Sequence, residues 1–422
     1  MSLLLYNIFI LLYRVALGIA SSFHPKARQW VAGRRNWQEK LAKDLEFRPD
    51  APLIWMHCAS LGEFEQGRPL LEHIREKYPH YRILISFFSP SGYEIRKNWE
   101  GADIITYLPV DNPGNARRFL DLTKPALVLW VRYEFWYHYL NQLKSRQIPV
   151  ILVSGLFRES QPFFKWYGNL YRHLLHCFDQ LFVQEKDSVT LLNNVGITTV
   201  TLSGDTRYDR VSAIAASAPA LPPIEAFVQQ FPVLIAGSTW PEDEEELDHF
   251  CNHRKDLRII FAPHEISEAH LLEMEKLLKG TIRYGQWLDH LKRGELPADR
   301  HVLIIDNIGM LSALYQYASV SYVGGGFGDD GLHNILEPAV WGKPVLFGPV
   351  FDRYPEAAGM IGAGGAFSAG NALELEKRLN DLFQDPPMAA AAGEAAKQFI
   401  RQHRGATAMI IRYLEENRLL TS

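Results

Sequence analysis

The sequence predicts an α/β protein made of two Rossmann-like halves, each a parallel sheet covered by helices, preceded by an apolar N-terminal helix. Three observations carry this. Short apolar runs alternate with longer amphipathic ones from residue 53 onward. The alternation breaks once, at the small-residue and proline-rich stretch AIAASAPALPP (213–223), and then restarts. The chain has 422 residues, more than a single core of ordinary size encloses. The expected layout is therefore an N-terminal anchor or interfacial helix with a basic flank (1–35), a first domain (36–212), a linker (213–224) and a second domain (225–422).

Composition narrows the class. The chain is 47% hydrophobic and 22% charged, the balance of a folded globular protein. A net charge of -4 argues against a general polyanion binder, so nucleic acid is not an expected partner and any anion site must be local. Cys58, Cys177 and Cys251 are isolated from one another and lack metal-ligand spacing, so neither a disulfide framework nor a metal site is expected.

The N-terminus reads SLLLYNIFILLY over residues 2–13, then Arg14, then VALGIASSF. A secretory signal carries its positive charge ahead of the apolar run, and none stands there. Arg14 makes a full span marginal, so a single-pass anchor and an interfacial helix both remain open. Lys26, Arg28, Arg34 and Arg35 follow, and such a flank is expected to stay on the cytoplasmic side.

In the first half, LIWMH (53–57), ILISF (83–87), IITY (104–107), ALVLW (126–130), VILV (150–153) and LFV (181–183) read as buried strands. Helices are expected at 68–77 and 115–122. Ser60 and Glu63, just beyond the first strand, have the spacing of a capping box. The same position, at the carboxyl end of a strand, suits a general base. Pro69 would kink a helix running on from Leu61, or else mark a helix starting later. Glu134 follows the fourth strand, Arg158 and Ser160 the fifth. In GDTRYDRV (204–211), Arg207 could reach a phosphate or pair with Asp205 or Asp209.

In the second half the strands are VLIA (233–236), LRIIFA (257–262), VLII (302–305), VSYV (320–323) and PVLF (344–347). In sheets of this kind ligands bind beyond the carboxyl ends of strands. The richest such end is VGGGFGDDGLHNILEPAVWGKPVLFGP (323–349). Its glycines allow close backbone approach to a ligand, and a helix expected from about Leu332 or His333 would offer free N–H groups to a phosphate. His333, Asn334 and Glu337 would then share its first turns, although Asn334 and Glu337 could simply cap that helix. Neither the G-x-G-x-x-G fingerprint nor a P-loop is present, which sets hydride transfer and ATP hydrolysis aside. Ser238 stands at another strand end, where Thr239 and Glu242 have capping-box spacing. Pro263-His264 and the 306–311 segment DNIGML close two more.

These segments in this order resemble the bacterial 3-deoxy-D-manno-octulosonic acid (Kdo) transferases of lipopolysaccharide synthesis. The resemblance runs through the apolar N-terminus, WMHCASLGE, FFSPSGYE, GLFRES, GDTRYDRV, AGSTWPEDEEE and HNILEPAVWGKPVLFGP. It implies a GT-B glycosyltransferase fold with a cleft between two Rossmann-like domains, the first binding the acceptor and the second CMP-Kdo. It assigns the family's catalytic base to Glu63. CMP-binding segments fall on Pro263 and His264, on Ile308, Gly309 and Met310, and on Asn334, Ile335, Leu336 and Glu337, with Ser238 and Arg207 as further donor contacts. Glu134, Arg158, Ser160 and His333 are expected to serve the acceptor or support the site. Many family members carry Arg where His264 stands, Glu where Met310 stands, and Glu where Arg132 stands.

The reaction so implied is inverting transfer of Kdo from CMP-Kdo, a co-substrate, to the lipid A precursor (lipid IVA), with no cofactor and no metal. The setting would be the cytoplasmic face of the inner membrane of a Gram-negative bacterium. Two other readings remain: a different GT-B sugar-nucleotide enzyme, such as a UDP-sugar transferase or epimerase, and a membrane-bound sugar-nucleotide sensor without catalysis.

Overall fold

The computed structural model describes residues 3–132, 134–297, 299–328 and 331–421. Tyr133 beside Glu134, and Asp329 and Asp330 of the glycine-rich loop, lie outside them. The chain divides into two units, Met1–Arg210 with Arg404–Ser422, and Val211–His403.

The first unit holds a seven-stranded parallel sheet of β1 (Leu53–Cys58), β2 (Arg82–Phe87), β3 (Ile104–Tyr107), β4 (Leu127–Val131), β5 (Val150–Gly155), β6 (Gln180–Val183) and β7 (Val200–Leu202), in the order β3-β2-β1-β4-β5-β6-β7. Every residue of β1, β2, β4 and β5 is buried. Successive side chains of a strand face opposite ways, so β1 feeds two cores. Trp55 packs with Phe119, Trp130 and Tyr139 on one face, and Ile54 and Met56 pack with Phe64, Leu70 and Ile85 on the other.

The N-terminal segment forms α1 (Leu3–Ala20), α2 (Pro25–Gly33) and α3 (Trp37–Asp44). Along α1 only Tyr6 and Ile10 are buried, while Leu4, Ile8, Phe9, Leu11, Leu12, Val15 and Ile19 are exposed. The buried side is tied down by polar contacts. Tyr6 donates its hydroxyl to Asp111 at 2.5 Å, Asn7 Oδ1 lies 2.7 Å from His138 Nε2, and Tyr13 stacks against Phe88.

The helix after β1, α4 (Leu61–Lys77), is assigned without a break across Pro69. It therefore starts at Leu61, ahead of the expected 68–77. Two residues before the proline, Gly67 lets the helix settle onto the sheet, since a Cβ there would collide with the Met56 sulfur.

The second unit holds a second seven-stranded parallel sheet: β8 (Val233–Thr239), β9 (Arg258–Pro263), β10 (Thr281–Arg283), β11 (Val302–Ile304), β12 (Val320–Val323), β13 (Val345–Phe347) and β14 (Ala366–Ser368), in the order β10-β11-β9-β8-β12-β13-β14. Strand order reverses at β1/β4 in the first sheet and at β8/β12 in the second. Those are the positions where ligand sites form in open α/β sheets.

Two boundaries differ from expectation. The stretch taken as a linker is mostly helical, in Arg207–Ser217 and Pro222–Val228, because its alanines favour helix wherever proline is absent. The second domain was expected to reach residue 422, but residues 404–422 pack in the first unit. There the helix Ala406–Glu416 buries Ile410, Ile411 and Leu414 in the Ile54 core.

Candidate functional site

In the first unit the switch point between β1 and β4 gathers Glu63, Glu134, Arg132 and His57. Ser60 is the N-cap of α4, yet its side chain makes no capping bond. Glu63, in the first turn, does reach back, and its carboxylate accepts the Ala59 N–H. Half of a capping box thus forms. The carboxyl is 6% exposed, and burial pushes its pKa up to about 7. The Ala59 N–H works against this shift, Glu134 adds to it, and Arg132 and the Ser60 N–H oppose it. A carboxyl that ionises near neutrality, with its orientation fixed by a backbone donor, has the properties of a general base.

Glu134 is fixed from two sides. Its Oε2 lies 3.3 Å from His57 Nε2 and accepts from Trp136 Nε1 at 3.1 Å. His57, wholly buried at the end of β1, places Nδ1 2.9 Å from Ser86 Oγ, which accepts from Trp55 Nε1 at 2.8 Å. This buried polar chain holds Glu134 rigidly at the mouth of the sheet. Arg132 follows β4 with φ 56°, a left-handed conformation uncommon for a residue other than glycine, and donates to Gln184 at 3.1 Å.

Other expected first-unit residues are placed differently. Arg207, expected among the donor contacts, belongs to the first unit and pairs with Asp205 at 2.8 Å. Asp205 also accepts from buried Gln66, at 3.2 Å. Arg158 and Ser160 are exposed on the loop after β5.

In the second unit the residues expected to bind the donor gather at the carboxyl ends of β8, β9 and β12. Ser238 sits on an irregularity of β8 with φ 54°. The His264 N–H donates to the Thr239 carbonyl at 2.9 Å, joining the ends of β9 and β8. Trp240, His264 and His333 form a layered set, with ring centroids 4.6 Å apart for Trp240 and His264 and 4.5 Å for His264 and His333. Trp240 Nε1 donates to His333 Nε2 at 3.1 Å. An indole N–H only donates, so Nε2 is the accepting nitrogen and the neutral ring carries its proton on Nδ1. His333, expected to serve the acceptor or support the site, thus stands beside Trp240 and His264.

In the glycine-rich loop other protein atoms approach the glycines closely. A Cβ at Gly324 would meet the Ser238 carbonyl, one at Gly326 would meet Gly348, and Gly325 has φ 89°. The helix expected from about residue 332 is only Leu336–Val340, so Ile335 is its N-cap and His333 and Asn334 precede it. Asn334 does cap it, accepting from the Leu336 N–H at 3.2 Å, and its amide donates to Glu337, which also accepts from Ser312 at 2.7 Å. Ser312 lies in the helix Leu311–Leu314, directly after Ile308, Gly309 and Met310. Ile308 is 88% exposed, and Gly309 has φ 102°.

Sequence reasoning passed over the residue that organises this end. Asp243, wholly buried, accepts from the Trp240 N–H at 2.9 Å, the Gly325 N–H at 2.8 Å and the Tyr322 hydroxyl at 2.6 Å. The N-terminal cap of the helix Pro241–His253 is therefore the Trp240–Asp243 pair. Thr239, expected to pair with Glu242, donates to Glu244 instead. The run PEDEEE signalled an acidic helix start but not which carboxylate turns inward.

Two helix-wound parallel sheets, each with a switch point in its strand order, make up the GT-B fold. Fold likeness agrees: the Neisseria meningitidis UDP-GlcNAc 2-epimerase bound to UDP-GlcNAc superposes with TM-score 0.59 at 15% identity, covering 86% of this chain and 100% of that one. Residues 35–210 match the family model for 3-deoxy-D-manno-octulosonic-acid transferase (kdotransferase). The chain is 28% identical to the 3-deoxy-D-manno-octulosonic acid transferase of Aquifex aeolicus over 78% of its own length and 85% of that protein. It is 25% identical to the Haemophilus influenzae transferase of the same name over 95% of each. The chain is thus similar to the bacterial Kdo transferases, through the family model over residues 35–210 and through these relatives along most of its length.

Proposed function

We propose that this glycosyltransferase moves Kdo from CMP-Kdo onto the lipid A precursor, with Glu63 as general base. The observation that carries the proposal is the Glu63 carboxyl, buried at the carboxyl end of β1 and ionising at about 7. Glu63 takes the proton from an acceptor hydroxyl as that oxygen attacks the anomeric carbon of Kdo, and the bond to the CMP phosphate breaks with inversion. The held position of Glu134 suits it to orient the acceptor sugar. On the leaving side, Ser238, His264 and His333 supply donors to the CMP phosphate as its charge grows. The scheme calls on no metal and no resident cofactor.

The acceptor is an acylated, phosphorylated disaccharide, and α1 fits that substrate. Its exposed side is a row of large apolar residues, while Tyr6, Asn7 and Tyr13 hold the other side to the folded unit. A helix bound along its length to a globular unit lies in the membrane interface rather than across the bilayer. The cytoplasmic face is the one where a cytidine nucleotide donor is supplied.

Calorimetric titration with CMP and UDP tests the donor assignment. CMP is expected to bind at least tenfold more tightly, and equal or tighter UDP binding would favour a UDP-sugar enzyme instead. Glu63→Gln is expected to bind CMP as wild type does.

A further inference from the structure

A cavity of about 510 Å³ opens in the second unit, a size typical of small-molecule sites. It is lined by residues 230–232, 318–320 and 342–344, which lead into β8, β12 and β13 at their amino ends. The end of the helix Ala372–Gln384 and the start of the helix Pro386–His403 complete it. Ser238, His264 and His333 stand toward the opposite, carboxyl ends of the same sheet. The cavity is therefore separate from the residues proposed for the donor.

Its apolar wall is already in place. Phe231, Pro232, Val320, Leu382, Phe383 and Ala389 line it. The Phe231 ring is held by the Arg258 guanidinium at 3.8 Å, and Arg258 in turn donates to the Phe227 carbonyl at 3.1 Å. The helix Pro386–His403 packs close on the turn that carries Lys343, since a Cβ at Gly393 would collide with the Gly342 carbonyl.

One cation lines this apolar space, and its charge is not balanced. Lys343 is half-buried. Burial lowers its pKa and the like charge of Lys397 lowers it further, with no carboxylate offsetting either. None of the described lining residues is acidic. Asp385, just ahead of the helix Pro386–His403, accepts from the Met388 N–H at 3.0 Å and is not part of the lining. Ser319 adds a donor. Its Oγ accepts from the Val233 N–H at 3.1 Å, which leaves the hydroxyl hydrogen for another acceptor. A half-buried cation gains from a partner of opposite charge, and a single ammonium balances one negative charge.

We propose that this cavity binds an amphipathic monocarboxylate, a hydrocarbon chain of medium length ending in a carboxylate. The carboxylate would sit at Lys343 and Ser319 and the chain along Phe231, Leu382 and Phe383. The inference goes beyond the transfer reading and uses none of its steps.

The test is photolabelling of the full chain at neutral pH with a diazirine-bearing decanoate and with the matching alcohol. Peptide mass spectrometry locates the labels, so that those in the cavity are told apart from those on α1. Decanoate is expected to label residues 318–320 and 382–390 at about one tenth of the concentration the alcohol needs, the worth of one charge-assisted contact. Lys343→Gln is expected to erase that difference and Lys343→Arg to keep it, both with the circular dichroism of wild type. Ala390→Trp, at an exposed position of the lining, is expected to reduce cavity labelling by both probes. Equal labelling by acid and alcohol in wild type, labels on α1 with none in the cavity, or a preference surviving in Lys343→Gln would overturn the site. No nucleotide or transfer assay enters the test, so its failure is separate from any failure of the Kdo transfer reading.

Discussion

At the scale of single residues, the base role proposed for Glu63 would tie stability and activity to the same proton. Its pKa rises from an ordinary 4.5 to about 7, so between these values the folded chain binds more protons than the unfolded chain. Stability therefore falls as pH rises through that window and is level above it, a loss of about 3 kcal/mol for the full shift. Transfer runs the other way, because the base must be ionised, and the rate should climb with pH and half-saturate near 7. Glu63→Gln keeps an oxygen for the Ala59 N–H and sheds the charge. It should lose transfer yet unfold at a higher temperature than wild type above pH 7, with the difference vanishing below pH 4.5. Calorimetric scans across pH check this. Trp240→Phe keeps a ring on His264 but removes the donor to His333 Nε2. Nitrogen-resolved NMR of the histidine ring should show the Nδ1–H tautomer in wild type and a mixture in the variant, and identical spectra would contradict the assignment. Glu63, Ser238, His264 and Glu337 were visible in the sequence because each stands where an apolar run gives way to a loop. The parts played by Asp243 and His57 were not, because they come from strands brought together in space.

At the scale of elements, burial decided what could be read. The inner strands β1, β2, β4 and β5 are continuous apolar runs and were legible. The three strands missed, β7, β10 and β14, are all sheet edges of three residues, partly exposed and without such a run. The helix expected from about residue 332 is shorter than expected, spanning Leu336–Val340. The C-terminal helix was given to the wrong domain because amphipathicity says that a face is buried and not against what. Asp209 fastens that helix, accepting from the Gly405 and Thr407 N–H groups at 2.7 Å each. Asp209→Ala should cost about 1–2 kcal/mol in urea unfolding of the first unit. Deleting residues 404–422 should cost far more, since it uncovers the core around Ile410 and Leu414. Tyr6→Phe leaves α1 with one fewer polar tie and should raise its susceptibility to proteolysis, with the fold of the remainder intact by circular dichroism.

At the scale of the whole molecule, two sheets of the same construction carry different chemistry at their switch points. The first offers a buried carboxyl ionising near neutrality beside a fixed second carboxylate, and the second a layered Trp–His–His set with a serine at a strand irregularity. The resemblance to Kdo transferases was legible before the fold because its motifs are read along the chain, whereas the surroundings of α1 and α2 depend on residues near 88 and 109 meeting them in space. The most direct measurement is mass spectrometry of lipid A precursor incubated with CMP-Kdo and the purified chain. Wild type should add the mass of Kdo and release CMP, while Glu63→Gln, still binding CMP, should leave the precursor unchanged. An unmodified precursor with wild type, or full turnover by Glu63→Gln, would contradict the account.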